Sequence, residues 1–238
     1  MPEPRNNLWS STDYQFKADY DTIAKLAPTL YETVWRTRLD RPGFAAVVLP
    51  RSTTSHELRC FLIELVNTFG AVATEHGFPR FIPERLGRFD QQVTSKFHRD
   101  GAPMASLLVL GYEPTPVRSQ LFVADAHRAA RDEGMKIEDY LSAHNPMFPA
   151  GERRLARYIT ELEYPQDAPC VALINNSLYS SGTGPCPLGL LHKATIPTPD
   201  LSARRVINSI GAMYANETYT RAKTPEEVAH FKYRDDLD

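Results

Sequence analysis

The feature that most limits the fold of this chain is a series of short apolar segments separated by turns that contain Pro or Gly. The chain has 19 Pro and 12 Gly in 238 residues, and short strands with turn residues at regular intervals are typical of an antiparallel barrel or sandwich. We predict about eight short strands. The most distinct are Gly43–Leu49, Phe89–His98, Ala105–Tyr112, Ser119–Ala124, Cys170–Ile174, Leu188–Ile196 and Arg204–Ala215. The predicted class is mainly β with flanking helices, an α+β fold in a single domain over residues 1–238.

Helical patterns flank and interrupt these strands. Two capping boxes, in which a hydroxyl and a carboxylate each satisfy an amide at a helix start, begin at Thr54 and Thr224. Gly70 is a natural helix stop. The segment 125–165 is predicted to be a helical insertion over the ligand site, and residues 71–90 are expected to be irregular. Residues 1–42 are expected to form an N-terminal arm, polar over residues 1–20, and a helix over Asp21–Arg38. The other expected helices are Thr54–Phe69, Asp125–Gly134, Ile137–Ala143, Gly151–Leu162 and a C-terminal helix within 224–238.

Composition excludes several classes of function. The net charge is −2, and Lys and Arg are spread along the chain, so there is no basic face for nucleic acid or an anionic membrane. No segment approaches the ~18 apolar residues of a membrane span, and Met1–Asp13 lacks the apolar core of a signal peptide. Three Cys without metal-finger spacing are typical of a reduced protein. We therefore expect a cytoplasmic protein, and the oligomeric state stays open, a homo-oligomer included.

A histidine and a carboxylate two residues apart are the strongest candidates for chemistry. His98 and Asp100 would project to one face of an extended strand, with Gly101 turning the chain just beyond. Two His and one carboxylate on one octahedral face are a ligand set for Fe(II), with the other positions open. His192 offers the second imidazole. The fold is therefore expected to bring His192 next to His98 and Asp100.

The strand count is that of a jelly roll, or double-stranded β-helix, of the cupin-like type. The open end of such a barrel forms a concave site lined by inward-facing residues. On the last strand, Arg204 and Arg205 lie on opposite faces, so only one of them can enter the barrel. If Arg205 faces inward, Ile207, Ser209 and Gly211 follow it.

Three stretches together resemble a known family. They are His98-Arg99-Asp100, His192-Lys193-Ala194-Thr195 and Arg204-Arg205-Val206-Ile207. They are similar to the Fe(II)/2-oxoglutarate-dependent oxygenases, nearest to the taurine dioxygenase and clavaminate synthase type. The resemblance implies that His98, Asp100 and His192 bind Fe(II). It also implies that Arg205 binds the distal carboxylate of the co-substrate 2-oxoglutarate. The family's second anion-binding arginine corresponds to Ser209, which argues against a sulfonate substrate.

The function implied by this resemblance is that of a dioxygenase, an oxidoreductase that hydroxylates its substrate. It would use Fe(II), 2-oxoglutarate and O2 to hydroxylate a small molecule, such as an amino acid or a biosynthetic intermediate, and release succinate and CO2. Two alternatives stay open. A cupin-type metalloenzyme that does not use 2-oxoglutarate usually has His-x-His instead of the His98-x-Asp100 pair. A non-catalytic jelly-roll binding module would not require three ligands and an arginine to converge.

Other residues are weaker candidates. Cys170 and Cys186 lack a partnered base, so a cysteine nucleophile is not expected. His127 is expected on the outer face of its helix. The Ser177–Pro187 segment, rich in Ser, Gly and Pro, is predicted to be a mobile loop beside the site. Four cations could bind an anionic substrate, although each also fits an ordinary surface charge: Lys96, Arg99, Arg118 and Lys193.

Overall fold

The computed structural model describes residues 7–101, 105–178, 187–214 and 222–238. Its helices are α1 (Ser11–Tyr14), α2 (Ile23–Val34), α3 (Ser55–Glu75), α4 (Ala126–Asp132), α5 (Ile137–Ala143), α6 (Pro149–Arg154) and α7 (Pro225–Tyr233), with short 3-10 helices at Tyr20–Thr22 and Ala156–Tyr158. Its strands are β1 (Gln15–Lys17), β2 (Phe44–Val48), β3 (Phe81–Asp90), β4 (Ser106–Tyr112), β5 (Gln120–Ala124), β6 (Ile159–Leu162), β7 (Cys170–Asn175), β8 (Leu191–Thr195) and β9 (Val206–Tyr214). None of the described helices has the length and apolar character that crossing a lipid bilayer requires.

Two sheets of unequal size form the centre of a mixed α+β fold. The large sheet has six strands in the order β1-β2-β7-β4-β9-β3, and the small sheet has three in the order β6-β5-β8. The strand pairs are antiparallel, except for β1 with β2. In the described part of the chain, strand pairing does not join the two sheets into one closed barrel. The mainly β class with flanking helices therefore agrees with the structure.

Side-chain alternation directs the two faces of the large sheet into different cores. On β4, Leu107 and Val109 face α2 and α3, whereas Leu108 and Leu110 face the small sheet. We call the core between the two sheets the inter-sheet core. It includes Leu108, Leu110, Tyr112, Leu121, Val123, Leu162, Ala172, Ile174, Leu190 and Ile207. Residues that share this face are the ones that can line a cavity between the sheets.

Helices α4 to α6 lie on the outer face of the small sheet. There Phe122 of β5 and Leu191 of β8 share a core with Ala129 of α4 and Tyr140 of α5. These helices connect β5 to β6, as expected for an insertion between strands. The position of segment 125–165 over a ligand site, like the single domain over the whole chain, stays a prediction.

Both predicted capping boxes are confirmed. At the start of α3, the hydroxyl of Thr54 accepts a hydrogen bond from the amide of Glu57 over 3.2 Å, and the carboxylate of Glu57 accepts one from the amide of Thr54 over 2.7 Å. Thr224 and Glu227 make the same two bonds at the start of α7. These bonds satisfy amides that the helix itself leaves unpaired. Helix α5 also has its predicted bounds, Ile137–Ala143.

Two predicted helices end in the wrong place. Gly70 lies inside α3, which continues to Glu75. A Cβ at Gly70 would lie 2.9 Å from the carbonyl oxygen of Phe81, so this glycine allows a close approach to β3 rather than ending the helix. The predicted helix Gly151–Leu162 is also wrong, because its last four residues form β6 and pair with β5. Pairing with a neighbouring strand overrides the helical spacing there.

The prediction that residues 71–90 are irregular is wrong for most of that range. Strand β3 (Phe81–Asp90) pairs with β9 at the edge of the large sheet. Pro83 misled the sequence interpretation, but an edge strand tolerates proline because one side of it makes no ladder hydrogen bonds. The register shifts between Pro83 and Arg85, as at a β-bulge. The predicted strand Phe89–His98 is therefore displaced along the chain, because the strand in the structure begins at Phe81 and ends at Asp90.

A buried ion pair ties the helical layer to the small sheet. Nη1 of Arg36 lies 2.7 Å from Oδ2 of Asp125, and both side chains are almost fully buried. Nε of Arg36 donates to the carbonyl of Leu188, just before β8. Burial acts to raise the pKa of Asp125, but the charge of Arg36 and the hydrogen bonds from Arg36 and Arg128 outweigh it and lower the pKa. The pair thereby fixes the start of the strand that carries His192.

Replacing Asp125 by Asn should leave the charge of Arg36 buried without a counter-charge. We expect the free energy of unfolding, measured by urea denaturation at neutral pH, to fall by about 3–5 kcal/mol. Because the pKa of Asp125 is lowered by folding, the difference from the wild type should be complete above about pH 4 and shrink as the pH falls further. Asp40→Asn, which breaks an exposed pair with Arg38, is the matched control and should change little. An equal loss of unfolding free energy in both variants would show that the buried pair of Arg36 and Asp125 does not stabilise the fold more than an exposed pair does.

Candidate metal centre

Backbone hydrogen bonds hold the two histidines of the predicted triad side by side. The amide of His98 donates to the carbonyl of His192 over 3.0 Å, and the amide of His192 donates to the carbonyl of His98 over 2.8 Å. This is an isolated antiparallel bridge, since His98 lies outside the named strands. Three residues earlier, the amide of Ser95 donates to the carbonyl of Ala194, and the amide of Ala194 donates to the hydroxyl of Ser95. The segment 94–98 therefore runs beside β8 without forming a regular strand.

The structure brings His98, Asp100 and His192 to one point. Their ligand atoms all lie within 4.8 Å of one another. Oδ1 of Asp100 lies 3.4 Å from Nε2 of His98 and 3.7 Å from Nε2 of His192. The centroids of the two imidazole rings are 4.3 Å apart. Two nitrogen donors and one oxygen donor thus converge, which is the arrangement that the sequence predicts, while their role as metal ligands stays a prediction.

Asp100 is positioned by Asn176 and not by a strand. The prediction that His98 and Asp100 project together from one strand is wrong, because the chain leaves the bridge after His98 and has no strand at Asp100. The side-chain oxygen of Asn176 accepts a hydrogen bond from the amide of Asp100 over 3.1 Å. Its side-chain amide donates to the carbonyl of Asp100 over 3.2 Å and contacts the hydroxyl of Ser106 at 3.3 Å. The buried Asn176 therefore fixes the backbone of the Asp100 loop on the end of β4.

The environment of each histidine sets its protonation. Nδ1 of His98 lies 2.7 Å from the carbonyl of Lys96, so it carries the proton and leaves Nε2 free to bind a metal. Contact with Asp100 raises the pKa of His98, whereas burial lowers the pKa of His192 to about 4. Burial opposes ionisation of Asp100, but the hydrogen bond with His98 and the charges of His192, His98 and Arg85 outweigh it and lower its pKa. At neutral pH the site presents an ionised carboxylate and a neutral His192.

The triad fits a divalent metal of the iron type. Imidazole nitrogen and carboxylate oxygen donors suit such a metal, and three ligands leave positions for further ligands. The side chains of His98 and Asp100 are 35% and 41% exposed, whereas that of His192 is 8% exposed. The open side of the centre is therefore the side of His98 and Asp100.

Arg205 is buried just before β9, beside the inter-sheet core. It is 1% exposed, and its guanidinium lies 5.1 Å from the centre of the Tyr112 ring, which belongs to the inter-sheet core. Nη1 donates to the carbonyl of Gln91 over 3.0 Å, but Nε and Nη2 have no hydrogen-bond partner among the described residues. Arg204 is exposed, as strand parity predicts. A buried guanidinium with two unsatisfied donors and no ion pair to a described residue is suited to a carboxylate ligand.

The four cations proposed from sequence have other surroundings. Nζ of Lys193 pairs with Glu152 over 2.7 Å on the outer side of the small sheet. Lys96 lies over the ring of Phe148. Nη1 of Arg99 donates to the carbonyl of Asn176, and Arg118 is exposed. Sequence analysis missed Arg85, whose charge acts on Asp100, because residues 71–90 were expected to be irregular.

The remaining candidates do not join the triad. His127 does not lie on a solvated outer face: it is half-buried, and burial lowers its pKa to about 4. This correction follows from the packing of α4 against the small sheet. Burial raises the pKa of Cys170 to about 12, which agrees with its inert role. Cys186 and most of the predicted loop Ser177–Pro187 lie outside the described residues.

Comparisons with known proteins add little to this geometry. No protein-family model matches the chain, and no curated protein matches it. Among solved structures, one match is a variant of the iron and alpha-ketoglutarate-dependent endoperoxidase NvfI, with 13% sequence identity. It covers 73% of this chain and 79% of that chain, with a TM-score of 0.34. A likeness of this size carries no conclusion about the fold or the function of this chain.

Replacing Asn176 by Ala should weaken metal binding without removing a ligand. The variant loses both side-chain hydrogen bonds that hold the backbone of Asp100, so the carboxylate is less well placed. We expect the affinity for Fe(II), or for Co(II) as an optical probe, to fall by about 10–100-fold, as for other residues that orient metal ligands. Asn67→Ala on α3 is the control and should bind metal normally. Unchanged affinity in Asn176→Ala would show that the loop is held by other contacts.

Metal affinity should depend on the protonation of one histidine. Because the pKa of His192 is lowered to about 4 while that of His98 is raised, acidification protonates His98 first. A proton on Nε2 of His98 competes with the metal, so affinity should fall by about tenfold per pH unit once the pH is below the pKa of His98. Co(II) titrations between about pH 8 and about pH 5 measure this slope. A two-proton slope in that range would contradict the buried, neutral state of His192.

Proposed function

We propose that this protein is a non-haem Fe(II), 2-oxoglutarate-dependent oxygenase that hydroxylates a small molecule, such as an amino acid or a biosynthetic intermediate. The observation that carries the proposal is the convergence of His98, Asp100 and His192 within 4.8 Å. Two imidazoles and one carboxylate with open positions are the ligand set of non-haem Fe(II) oxygenases. The buried Arg205, without an acidic partner among the described residues, supports a dicarboxylate as co-substrate.

The strand order supports a double-stranded β-helix as the underlying fold. Along the chain, β3, β4, β7 and β9 belong to the large sheet, and β5, β6 and β8 belong to the small sheet. The segment 94–98 lies beside β8 and occupies the place of a fourth strand in the small sheet. The small sheet then has four members, β6-β5-β8 with segment 94–98. In the large sheet, the four neighbouring strands β7-β4-β9-β3 face it, and β1 and β2 extend that sheet beyond β7. These two groups of four fit the two facing four-stranded sheets of a jelly roll.

Each residue of the site has a separate task in this proposal. His98, Asp100 and His192 bind the metal, and the hydrogen bond from Nδ1 of His98 to a backbone carbonyl orients that ring. Asn176 holds the loop of Asp100. Arg205 pairs its two unsatisfied donors with the distal carboxylate of 2-oxoglutarate in a planar fork. Bound Fe(II) would allow O2 to oxidise 2-oxoglutarate to succinate and CO2, and this reaction would be coupled to hydroxylation of the substrate.

Removal of Arg205 tests the co-substrate directly. Arg205→Ala should weaken 2-oxoglutarate binding by about 2–5 kcal/mol, since the distal carboxylate would be buried without its cation. Arg205→Lys should recover little, because one ammonium cannot make two parallel hydrogen bonds. Arg204→Ala is the matched control on the opposite face of the strand and should bind normally. Affinity is measured with Fe(II) bound and oxygen excluded.

The reaction itself is tested by succinate release. Purified protein with Fe(II), 2-oxoglutarate and O2 should form succinate, and His192→Ala should lose both metal and succinate formation. Stoichiometric metal binding without succinate formation would favour a cupin-type metalloenzyme that does not use 2-oxoglutarate. Absence of stoichiometric metal binding would favour a non-catalytic binding module. If Arg204→Ala loses 2-oxoglutarate affinity and Arg205→Ala keeps it, then Arg204 and not Arg205 binds the co-substrate.

A further inference from the structure

The inner face of β9 is partly open to solvent close to its C-terminal end. Ser209 and Gly211 are partly exposed, whereas their neighbours Asn208 and Ile210 are buried. Strands β4 and β3 flank β9 on both sides, so solvent reaches these two residues across the sheet face. Ile207 shares that face and belongs to the inter-sheet core. The face of the large sheet that points to the small sheet is therefore partly accessible to solvent at Ser209 and Gly211, and we call this accessible part of the face the cleft.

Arg85 lies on the same face of the large sheet, at the edge of this cleft. It pairs directly with Gly211 in the β3–β9 register, and Gly87 pairs with Ser209. The next residue, Leu86, packs with the core on the helical side, so Arg85 faces the small sheet. A Cβ at Gly211 would lie 3.3 Å from Cβ and 3.7 Å from Cγ and Cδ of Arg85. The stem of Arg85 therefore lies across a glycine that leaves room for it.

The cleft shares its face of the large sheet with Ser106, which is connected to the candidate metal centre through Asn176. Gly211 pairs with Leu108 on β4, and Ser106 lies two residues earlier on the same face, which is about 7 Å along the strand. The hydroxyl of Ser106 contacts Asn176, the residue that holds the backbone of Asp100. The charge of Arg85 also contributes to the lowered pKa of Asp100, in agreement with this placement.

Arg85 makes no ion pair with a described residue, unlike Arg88 on the same strand. Arg88, on the opposite face of β3, pairs with Glu113 over 3.2 Å. Arg85 is exposed and makes no ion pair or hydrogen bond with any residue that the structure describes. A guanidinium that lines a cleft with its donors unused is suited to a planar, bidentate carboxylate.

We propose that Arg85 binds a carboxylate of the primary substrate and so restricts the enzyme to small carboxylic acids. This inference rests on the proposed oxygenase function for the reaction, but the binding site rests on the cleft and on Arg85. The acid would lie between Ser209, Gly211 and the small sheet, with its carboxylate on β3 and its reacting carbon towards the metal. Arg205, which directly precedes β9 and lies six residues before Gly211, is left for the co-substrate.

The test compares N-acetyl amino acids with the corresponding neutral amides. With Mn(II) and 2-oxoglutarate bound and oxygen excluded, paramagnetic relaxation of ligand protons measures binding close to the metal. We expect acids to bind more tightly than amides in the wild type, and Arg85→Gln to lower acid affinity by about tenfold or more with no effect on the amides. Arg51→Gln, which removes another exposed arginine, is the matched control and should leave the preference unchanged.

Two results would overturn the inference. Equal affinity for acids and amides in the wild type, or an acid preference that survives in Arg85→Gln, would show that Arg85 is an ordinary surface charge. Loss of 2-oxoglutarate affinity in Arg85→Gln together with normal affinity in Arg205→Ala would assign Arg85 to the co-substrate instead. Saturation-transfer NMR without metal repeats the comparison of acids and amides, so the inference remains testable if the protein binds neither Mn(II) nor 2-oxoglutarate and the proposed function fails.

Discussion

The antiparallel bridge between His98 and His192 is the contact on which the candidate site depends. Two backbone hydrogen bonds, 3.0 and 2.8 Å long, join residues that belong to distant parts of the chain. Bringing such distant segments together costs chain entropy, which the packing of the surrounding layers must offset. The small sheet contributes by pairing β8 with β5, and Arg36 contributes by holding the carbonyl of Leu188 at the entrance to β8. The ligand geometry is therefore a property of the packed layers and not of a local motif.

The three candidate metal ligands could be recognised from the sequence, but the residues that hold them in position could not. His98, Asp100 and His192 stand out because their side chains suit one kind of metal, and the paired arginines follow at the start of an apolar strand. Asn176 could not be assigned a role, because its function is to hydrogen-bond a backbone that lies far away in sequence. The same limit applies to segment 94–98. Its partner strand is distant, and the hydroxyl of Ser95 replaces a backbone acceptor.

Strand β3 shows why local pattern fails at a sheet edge. Its Pro83 and its arginines resemble an irregular surface segment, yet its pairing with β9 is continuous apart from one bulge. An edge strand is specified by its neighbour and tolerates residues that a central strand excludes. β4 is the opposite case: its residues are buried on both faces, and its apolar run predicted it well. The error at β3 also hid Arg85, which only the register places in the cleft.

The buried arginines divide into two kinds according to whether the chain supplies their counter-charge. Arg36 has Asp125, and Arg59 has Glu113 and Asp235 nearby. The guanidinium of Arg205, in contrast, makes no ion pair with a described residue, and its Nε and Nη2 have no hydrogen-bond partner there. A dicarboxylate bound at Arg205 would thus complete the interior of the folded protein. Ligands that bind only the folded state stabilise it by an amount that grows with their concentration, about 2.7 kcal/mol at one hundred times the dissociation constant. If the proposed co-substrate binds there, the lifetime of this protein in a cell would follow the supply of that dicarboxylate, with unfolding and proteolysis fastest when it is scarce.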